Sequence, residues 1–71
     1  MKLNEVCGSK TLILKGVEDE GLSKRLSSFG FLVGTKIEIQ SRIKGMFLIR
    51  VLNSTYAIND NLAAKILVEQ E

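Results

Sequence analysis

Apolar residues recur at helical spacing in one stretch of the chain. Leu22, Leu26 and Phe29 stand at i, i+4 and i+7, which places them on one face of an α-helix. Three acidic residues at 18–20 precede them, and the helix dipole favours negative charge at a helix start. The pattern therefore predicts a helix over residues 20–29 with Asp19 as its N-cap. Gly21 opposes this start, because glycine costs up to about 1 kcal/mol relative to alanine in a helix.

The helix is predicted to stop at Gly30, since glycine adopts the left-handed conformation without a Cβ penalty. If Gly30 is the C′ residue, Phe31 and Leu26 occupy the C″ and C3 positions, which meet in a Schellman cap. Both residues are apolar, as that cap requires. Gly34 and Thr35 then turn the chain into the next strand.

Elsewhere apolar residues alternate with polar ones or form short runs, as β-strands do. Residues 3–6 predict a turn or a lead-in strand, residues 7–9 a loop, and Asn59-Asp60 the cap of one helical turn through Ala64. Gly45 is expected to supply positive φ in a loop at 42–45, and residues 53–54 form the next turn. The predicted strands cover residues 11–17, 36–41, 46–52, 55–58 and 66–68. The sequence thus predicts a mainly β fold: a small barrel of about five strands with one short helix between strands one and two.

The predicted strand 46–52 carries candidate partner-binding residues. Period-two alternation puts Phe47, Ile49 and Val51 on one uniformly apolar face, which is the stronger candidate for the core. The opposite face carries Met46, Leu48, Arg50 and Leu52, and Met46 and Leu48 would then be apolar residues that face outward beside Arg50. Either this face contacts a partner, or the helix or a terminal segment covers it; the sequence leaves both open. Lys24 and Arg25 on the helix offer a second contact surface.

The amino-acid composition limits the kinds of catalytic and binding site that this chain can form. A chain of 71 residues with 45% apolar residues is expected to form one small globular domain, residues 1–71. A single cysteine excludes an internal disulfide, and with no histidine there is no His general base and little basis for a structural zinc site. Cys7 is interpreted as a small semi-buried residue rather than a reactive thiol. A free thiol without an export signal favours the cytoplasm.

The charges leave two further alternatives open. The net charge is +2 with mixed signs, so nucleic-acid binding is allowed but not indicated. Arg42, Lys44 and Arg50 cluster around the second hairpin, either as a patch for an acidic partner or nucleic acid or as a solvated edge that discourages aggregation. The acidic residues at 18–20 could bind a hard cation, but consecutive helical residues do not share one face, which favours helix-dipole pairing.

In their order along the chain, these features resemble the ferrous iron transport protein A (FeoA) family of small Src-homology-3-like (SH3-like) barrels. The family pattern joins an apolar strand, a helix with spaced leucines ending at glycine, a glycine turn and a closing apolar motif. Val33 departs from it by replacing the usual proline of the turn, and Asn59 stands where a basic residue is common. The matching residues are Leu22, Leu26, Gly30, Gly34, Thr35, Ile37, Ile39, Ala57, Ile58, Ala63, Ile66 and Val68.

The resemblance implies a non-enzymatic cytoplasmic accessory protein. Its partner would be the membrane ferrous iron transporter (FeoB), which carries a cytoplasmic G-protein domain that the small protein would bind and modulate. No tightly bound cofactor is implied, only weak and transient Fe²⁺ binding; no nucleic acid or membrane insertion is expected, and a homodimer is left open. Two alternatives remain: a metal-responsive regulatory domain like the C-terminal module of iron-dependent repressors, and a small nucleic-acid-binding barrel.

Overall fold

The computed structural model describes residues 1–6 and 11–71. The predicted loop at 7–9, and with it the interpretation of Cys7, lies outside the described residues. A 3₁₀ turn lies at Leu3–Glu5, so of the two alternatives predicted for residues 3–6 the structure has the turn and not the lead-in strand. The further elements are β1 (Thr11–Val17), α1 (Glu20–Ser27), β2 (Lys36–Ile43), β3 (Met46–Val51), β4 (Ser54–Asn59), α2 (Asp60–Ala63) and β5 (Ile66–Gln70).

The strands form one antiparallel sheet of five strands in the order β4-β3-β2-β1-β5. Helix α1 lies between β1 and β2 in the chain, so the predicted mainly β fold with one early helix is confirmed. Strands β2, β3 and β4 follow one another along the chain and pair as consecutive hairpins, and β5 returns to pair with β1. Each end of the chain is therefore held to the same side of the sheet, where Lys2 also bridges to Leu67.

Two bulges bend the ladders. In β1 the register shifts between Leu14 and Gly16, which leaves Lys15 without a cross-strand partner. The Lys15 ammonium instead reaches the Glu69 carboxylate on β5 at 2.8 Å. In β2 the register shifts between Ile39 and Ser41. Bulges of this kind increase local twist and reverse which face the following side chains occupy.

Helix α1 begins as the sequence predicts, because the Asp19 carboxylate accepts a hydrogen bond from the Leu22 amide at 3.1 Å. The helix ends at Ser27, two residues before the predicted end. Leu26 is buried and Leu22 packs against the core, but Phe29 is 53% exposed and does not belong to the buried face. The Phe29 ring lies against Tyr56 on β4, with ring centroids 5.8 Å apart.

The turns depend on positive φ angles. Gly30 and Gly34 have φ of 94° and 93°, and the Lys44-Gly45 turn joins β2 to β3 with φ of 45° and 79°. The β3–β4 turn lies at Leu52-Asn53, one residue earlier than predicted, and Leu52 adopts φ of 57°. A leucine in this conformation is uncommon, because its Cβ crowds the backbone.

The core lies on the inner face of the sheet. Phe47, Ile49 and Val51 of β3 point into it, as the alternation predicts, and the 3₁₀ turn contributes the fully buried Leu3. No polar or charged residue of the described chain is fully buried. The remaining core residues are Val6, Leu12, Leu14, Leu26, Phe31, Ile37, Ile39, Ile58, Ala63, Ile66 and Val68.

Candidate functional site

The outer face of β3 carries exposed apolar side chains. Met46 and Leu48 remain 43% and 39% exposed on the side of the strand opposite the core, and Arg50 follows on the same side. The period-two pattern therefore locates this face correctly. No described helix or terminal segment buries either apolar residue, so of the two readings left open by the sequence, the structure favours an accessible surface.

The bulge in β2 enlarges this surface. Beyond it, Ser41 pairs with Leu48 and Ile43 pairs with Met46, so Ile43 points outward and is 65% exposed. On the other side of β3, the exposed Ala57 of β4 pairs with Leu48. Ile43, Met46, Leu48 and Ala57 form what we call the outer apolar patch. They border a shallow groove of about 180 Å³.

Ile43 and Ala57 were not among the partner-binding residues predicted from the sequence. Strict alternation groups Ile43 with the core residues Ile37 and Ile39, and only the register shift after Ile39 moves it outward. No sequence feature in this stretch signals the bulge. The predicted turn at 53–54 would set Ala57 opposite Arg50, and only the observed turn at Leu52-Asn53 sets it opposite Leu48.

Arg50 lies at the other end of the outer face, opposite Glu38 of β2. It borders a separate depression of about 360 Å³ together with Lys36 and Leu52. The Lys36 ammonium binds the Glu71 carboxylate at 2.9 Å, and this hydrogen bond and charge raise the pKa of Lys36. Arg50 has no carboxylate within ion-pair distance among residues 1–6 and 11–71.

Lys24 and Arg25 belong to a second surface. Both are exposed in the last turn of α1, where positive charge complements the helix dipole. Arg25 borders a groove of about 520 Å³ between α1 and α2, which is also lined by Asp19, Leu62 and Lys65. The structure therefore divides the predicted partner-binding residues between the sheet face, with Met46, Leu48 and Arg50, and helix α1.

Arg42 does not belong to a free basic patch with Arg50. Beyond the bulge it pairs with Phe47 on the inner face, and its guanidinium lies 4.6 Å from the centre of the Phe47 ring. It also donates to the Val6 carbonyl at 3.5 Å and approaches the Asp60 carboxylate at 3.9 Å. Arg42 thus covers the edge of the core, while Lys44 occupies the exposed hairpin turn.

The kinds of side chain present give little evidence for metal binding at these surfaces. The described residues contain no group of three His, Cys, Asp or Glu side chains placed to hold a metal ion. Asp19, within the acidic segment considered for cation binding, is used as the cap of α1. The helices of the described chain are too short or too polar to span a lipid bilayer.

Comparison with known proteins places these features in a family. The model of the FeoA domain family matches residues 1–70. A comparison with curated protein sequences finds no match.

Solved structures of similar fold agree with this assignment. The FeoA protein of Chlorobium tepidum matches with a TM-score of 0.88 at 19% identity, over 99% of this chain and 70% of its own. A FeoA-like protein of Clostridium acetobutylicum matches with a TM-score of 0.86 at 23% identity, over 99% and 85% of the two chains. The zinc complex of Stenotrophomonas maltophilia FeoA, described as a prokaryotic SH3 domain protein, matches with a TM-score of 0.85 at 20% identity, over 97% and 89%. With the family model covering nearly its whole length, the chain belongs to the FeoA family, which is linked to ferrous iron transport, and has the family's SH3-like fold.

Proposed function

We propose that this protein is a non-enzymatic accessory protein of ferrous iron transport, which docks from the cytoplasm on the G-protein domain of the FeoB transporter and modulates it. The outer apolar patch, Ile43, Met46, Leu48 and Ala57, is the primary contact surface. The observation that carries the proposal is that this patch is centred on β3, whose other face is buried in the core. A FeoA-family chain thus presents apolar side chains that its own fold leaves uncovered.

The chemistry of the patch suits protein recognition. Methionine adapts to the shape of a partner because its side chain is flexible and polarisable. Contiguous apolar residues on a small soluble fold commonly mark a contact site. The sheet presents Met46 and Leu48 from regular backbone, so they are held in place before binding and lose little backbone entropy.

The basic residues extend the contact. Arg50 lies on the same face of β3 and adds a charged contact at the rim of the patch. Lys24 and Arg25 on α1 form a separate basic surface that can meet acidic residues of the same partner. Charges at a rim mainly affect the association rate and its salt dependence, whereas the apolar centre determines how long the complex lasts.

A binding measurement with the purified cytoplasmic domain of the transporter tests the proposal. Leu48→Asp should weaken binding by at least about thirtyfold, the effect of losing a central contact worth about 2 kcal/mol. Gln70→Asp is the matched control, because it adds the same charge at an exposed position on β5. It should bind as the unmodified protein does, and circular dichroism should show both variants folded.

Two other outcomes of these binding measurements would contradict the proposal. If folded Leu48→Asp binds normally while Arg25→Glu does not, the contact lies on α1 and the assignment of the patch is wrong. If the unmodified protein does not bind the transporter domain at all, the docking function itself is refuted.

A further inference from the structure

A second set of exposed apolar residues lies at the end of the molecule where α1 stops, β2 begins and β3 ends. Phe29, Leu32, Val33 and Leu52 form this set, which we call the loop-end cluster. Their exposed fractions are 53%, 55%, 72% and 68%, higher than those of Met46 and Leu48 on the flat sheet face. Side chains this exposed extend outward from the surface, and Leu52 also borders the depression beside Arg50.

Contacts between side chains and backbone hold the loops of the cluster in place. A Cβ built on Gly30 would lie 3.0 Å from the Leu52 Cδ1 atom, so the β3–β4 turn packs directly on the end of α1. The Tyr56 hydroxyl donates to the Phe29 carbonyl at 3.3 Å, and the Leu32 amide donates to the Gly30 carbonyl at 2.9 Å. The protruding residues are thus carried on anchored loops.

Leu52 is the least explained residue of the fold. It occupies a left-handed turn position that asparagine or glycine would fill with less strain, and its side chain contributes little to the core. A residue in a strained backbone conformation whose side chain is mostly exposed is a reason to look for an external contact. Isolated exposed leucines are ordinary, but this one lies beside Gly30, in contact range of the segment that carries Phe29.

Basic side chains flank the cluster. Arg25 lies four residues before Phe29, and Arg50 borders the same depression as Leu52, which Lys36 and Glu38 also line. In the described part of the chain neither has a carboxylate within ion-pair distance, whereas Lys36 nearby is paired with Glu71. The acidic residues at 18–20 lie at the opposite end of α1.

We infer that the loop-end cluster binds the surface of an anionic lipid bilayer. Protruding apolar side chains suit a soft acceptor, since they can enter the headgroup region while neighbouring arginines meet lipid phosphates. The contact is peripheral, because only side chains enter the interface and no segment crosses it. This inference does not rest on the docking proposed above. The apolar residues of the two surfaces are different, although Arg25 and Arg50 take part in both proposals.

Vesicle flotation with protein-free membranes tests the inference. The unmodified protein should float with vesicles of phosphatidylcholine and phosphatidylglycerol but not with phosphatidylcholine alone, and added salt should weaken the binding. The double variant Leu32→Ser with Leu52→Asn should reduce binding at least about tenfold, because burying each leucine is worth up to about that factor. Asparagine tolerates the left-handed position, so this variant is expected to fold.

Leu48→Ser is the matched control, since it removes a leucine from the outer apolar patch and should leave vesicle binding unchanged. The inference is overturned if the unmodified protein binds no vesicle, or if Leu48→Ser loses binding as the double variant does. It is also overturned if the double variant retains vesicle binding but loses the transporter domain, or abolishes a dimer seen by sedimentation, since the cluster would then contact a protein. Because the vesicles contain no transporter, failure here leaves the docking experiment intact.

Discussion

The amide nitrogen of Phe31 donates a hydrogen bond to the carbonyl oxygen of Leu26 at 3.1 Å. The Gly30 amide donates to the Ser27 carbonyl at the same distance, and together these are the two bonds of a Schellman cap. Leu26 and Phe31 are both buried, so the cap joins the end of α1 to the core. The left-handed conformation of Gly30 makes this arrangement accessible.

Gly30→Ala should therefore lower the free energy of unfolding by about 1–2 kcal/mol, the cost of a Cβ in the left-handed region. The close approach of Leu52 to that Cβ position adds to the effect. Gly21→Ala is the matched control, because Gly21 lies in the first turn of the same helix and alanine there should raise stability by up to about 1 kcal/mol. Urea denaturation measures both. An unchanged midpoint for Gly30→Ala would mean that the left-handed cap contributes nothing to stability.

How far the sequence predicts the structure depends on the local signal. The spacing of Leu22 and Leu26 and the glycine at 30 were enough to locate α1, and alternation alone separated Phe47 from Leu48. The bulge after Ile39 has no such signal, because it depends on how two strands pair across the sheet. It moves Ile43 outward and Arg42 inward, so the extent of the outer apolar patch and the role of Arg42 could not be read from the pattern.

The two faces of β3 should respond oppositely to charge. Ile49→Asp places a carboxylate in the core without a partner, which costs roughly 3–5 kcal/mol or more and is comparable to the total stability of a small domain. Leu48→Asp places the same charge on the exposed face and should leave the chain folded. Thermal unfolding followed by circular dichroism compares them. If Leu48→Asp unfolds the chain and Ile49→Asp does not, the inside and outside faces have been interchanged.

Arg42→Ala should destabilise the protein by about 1 kcal/mol. Its guanidinium covers the Phe47 ring, a cation–π contact worth about 0.5–1 kcal/mol at an exposed site, and its stem shields the core from water. Lys44→Ala changes an equally basic residue in the adjacent turn and should have little effect. Denaturant unfolding of the two variants tests this. If Arg42 were only a solvated surface residue, neither substitution would change the free energy of unfolding.

The pKa of Glu69 should lie below that of an ordinary glutamate. Its hydrogen bond to the Lys15 ammonium, and then the charge of that group, lower the pKa. Because the folded-state pKa is depressed, the pair contributes stability above the unfolded-state pKa and loses it as the pH falls through the folded-state value.

Carboxyl chemical shifts followed through a pH titration measure the effect. Lys15→Met should return the pKa of Glu69 toward its ordinary value, whereas Lys24→Met on α1 should not. High salt should diminish the shift, since both side chains are exposed. A Glu69 pKa that does not respond to Lys15→Met would show that the ion pair is not populated in solution.

Metal binding should be weak despite the zinc complex known for the Stenotrophomonas maltophilia relative. With no histidine and one thiol in the sequence, oxygen atoms must supply most ligands, and these bind transition metals weakly unless several converge. The described carboxylates do not converge in groups of three. Calorimetric titration with Zn²⁺, or with Fe²⁺ under anaerobic conditions, should give no dissociation constant tighter than about 1 μM. The control is Cys7→Ser, which removes the single thiol and should leave the weak binding unchanged. A stoichiometric nanomolar site would contradict the prediction and would favour the metal-responsive regulatory alternative; its loss in Cys7→Ser would assign the thiolate to that site.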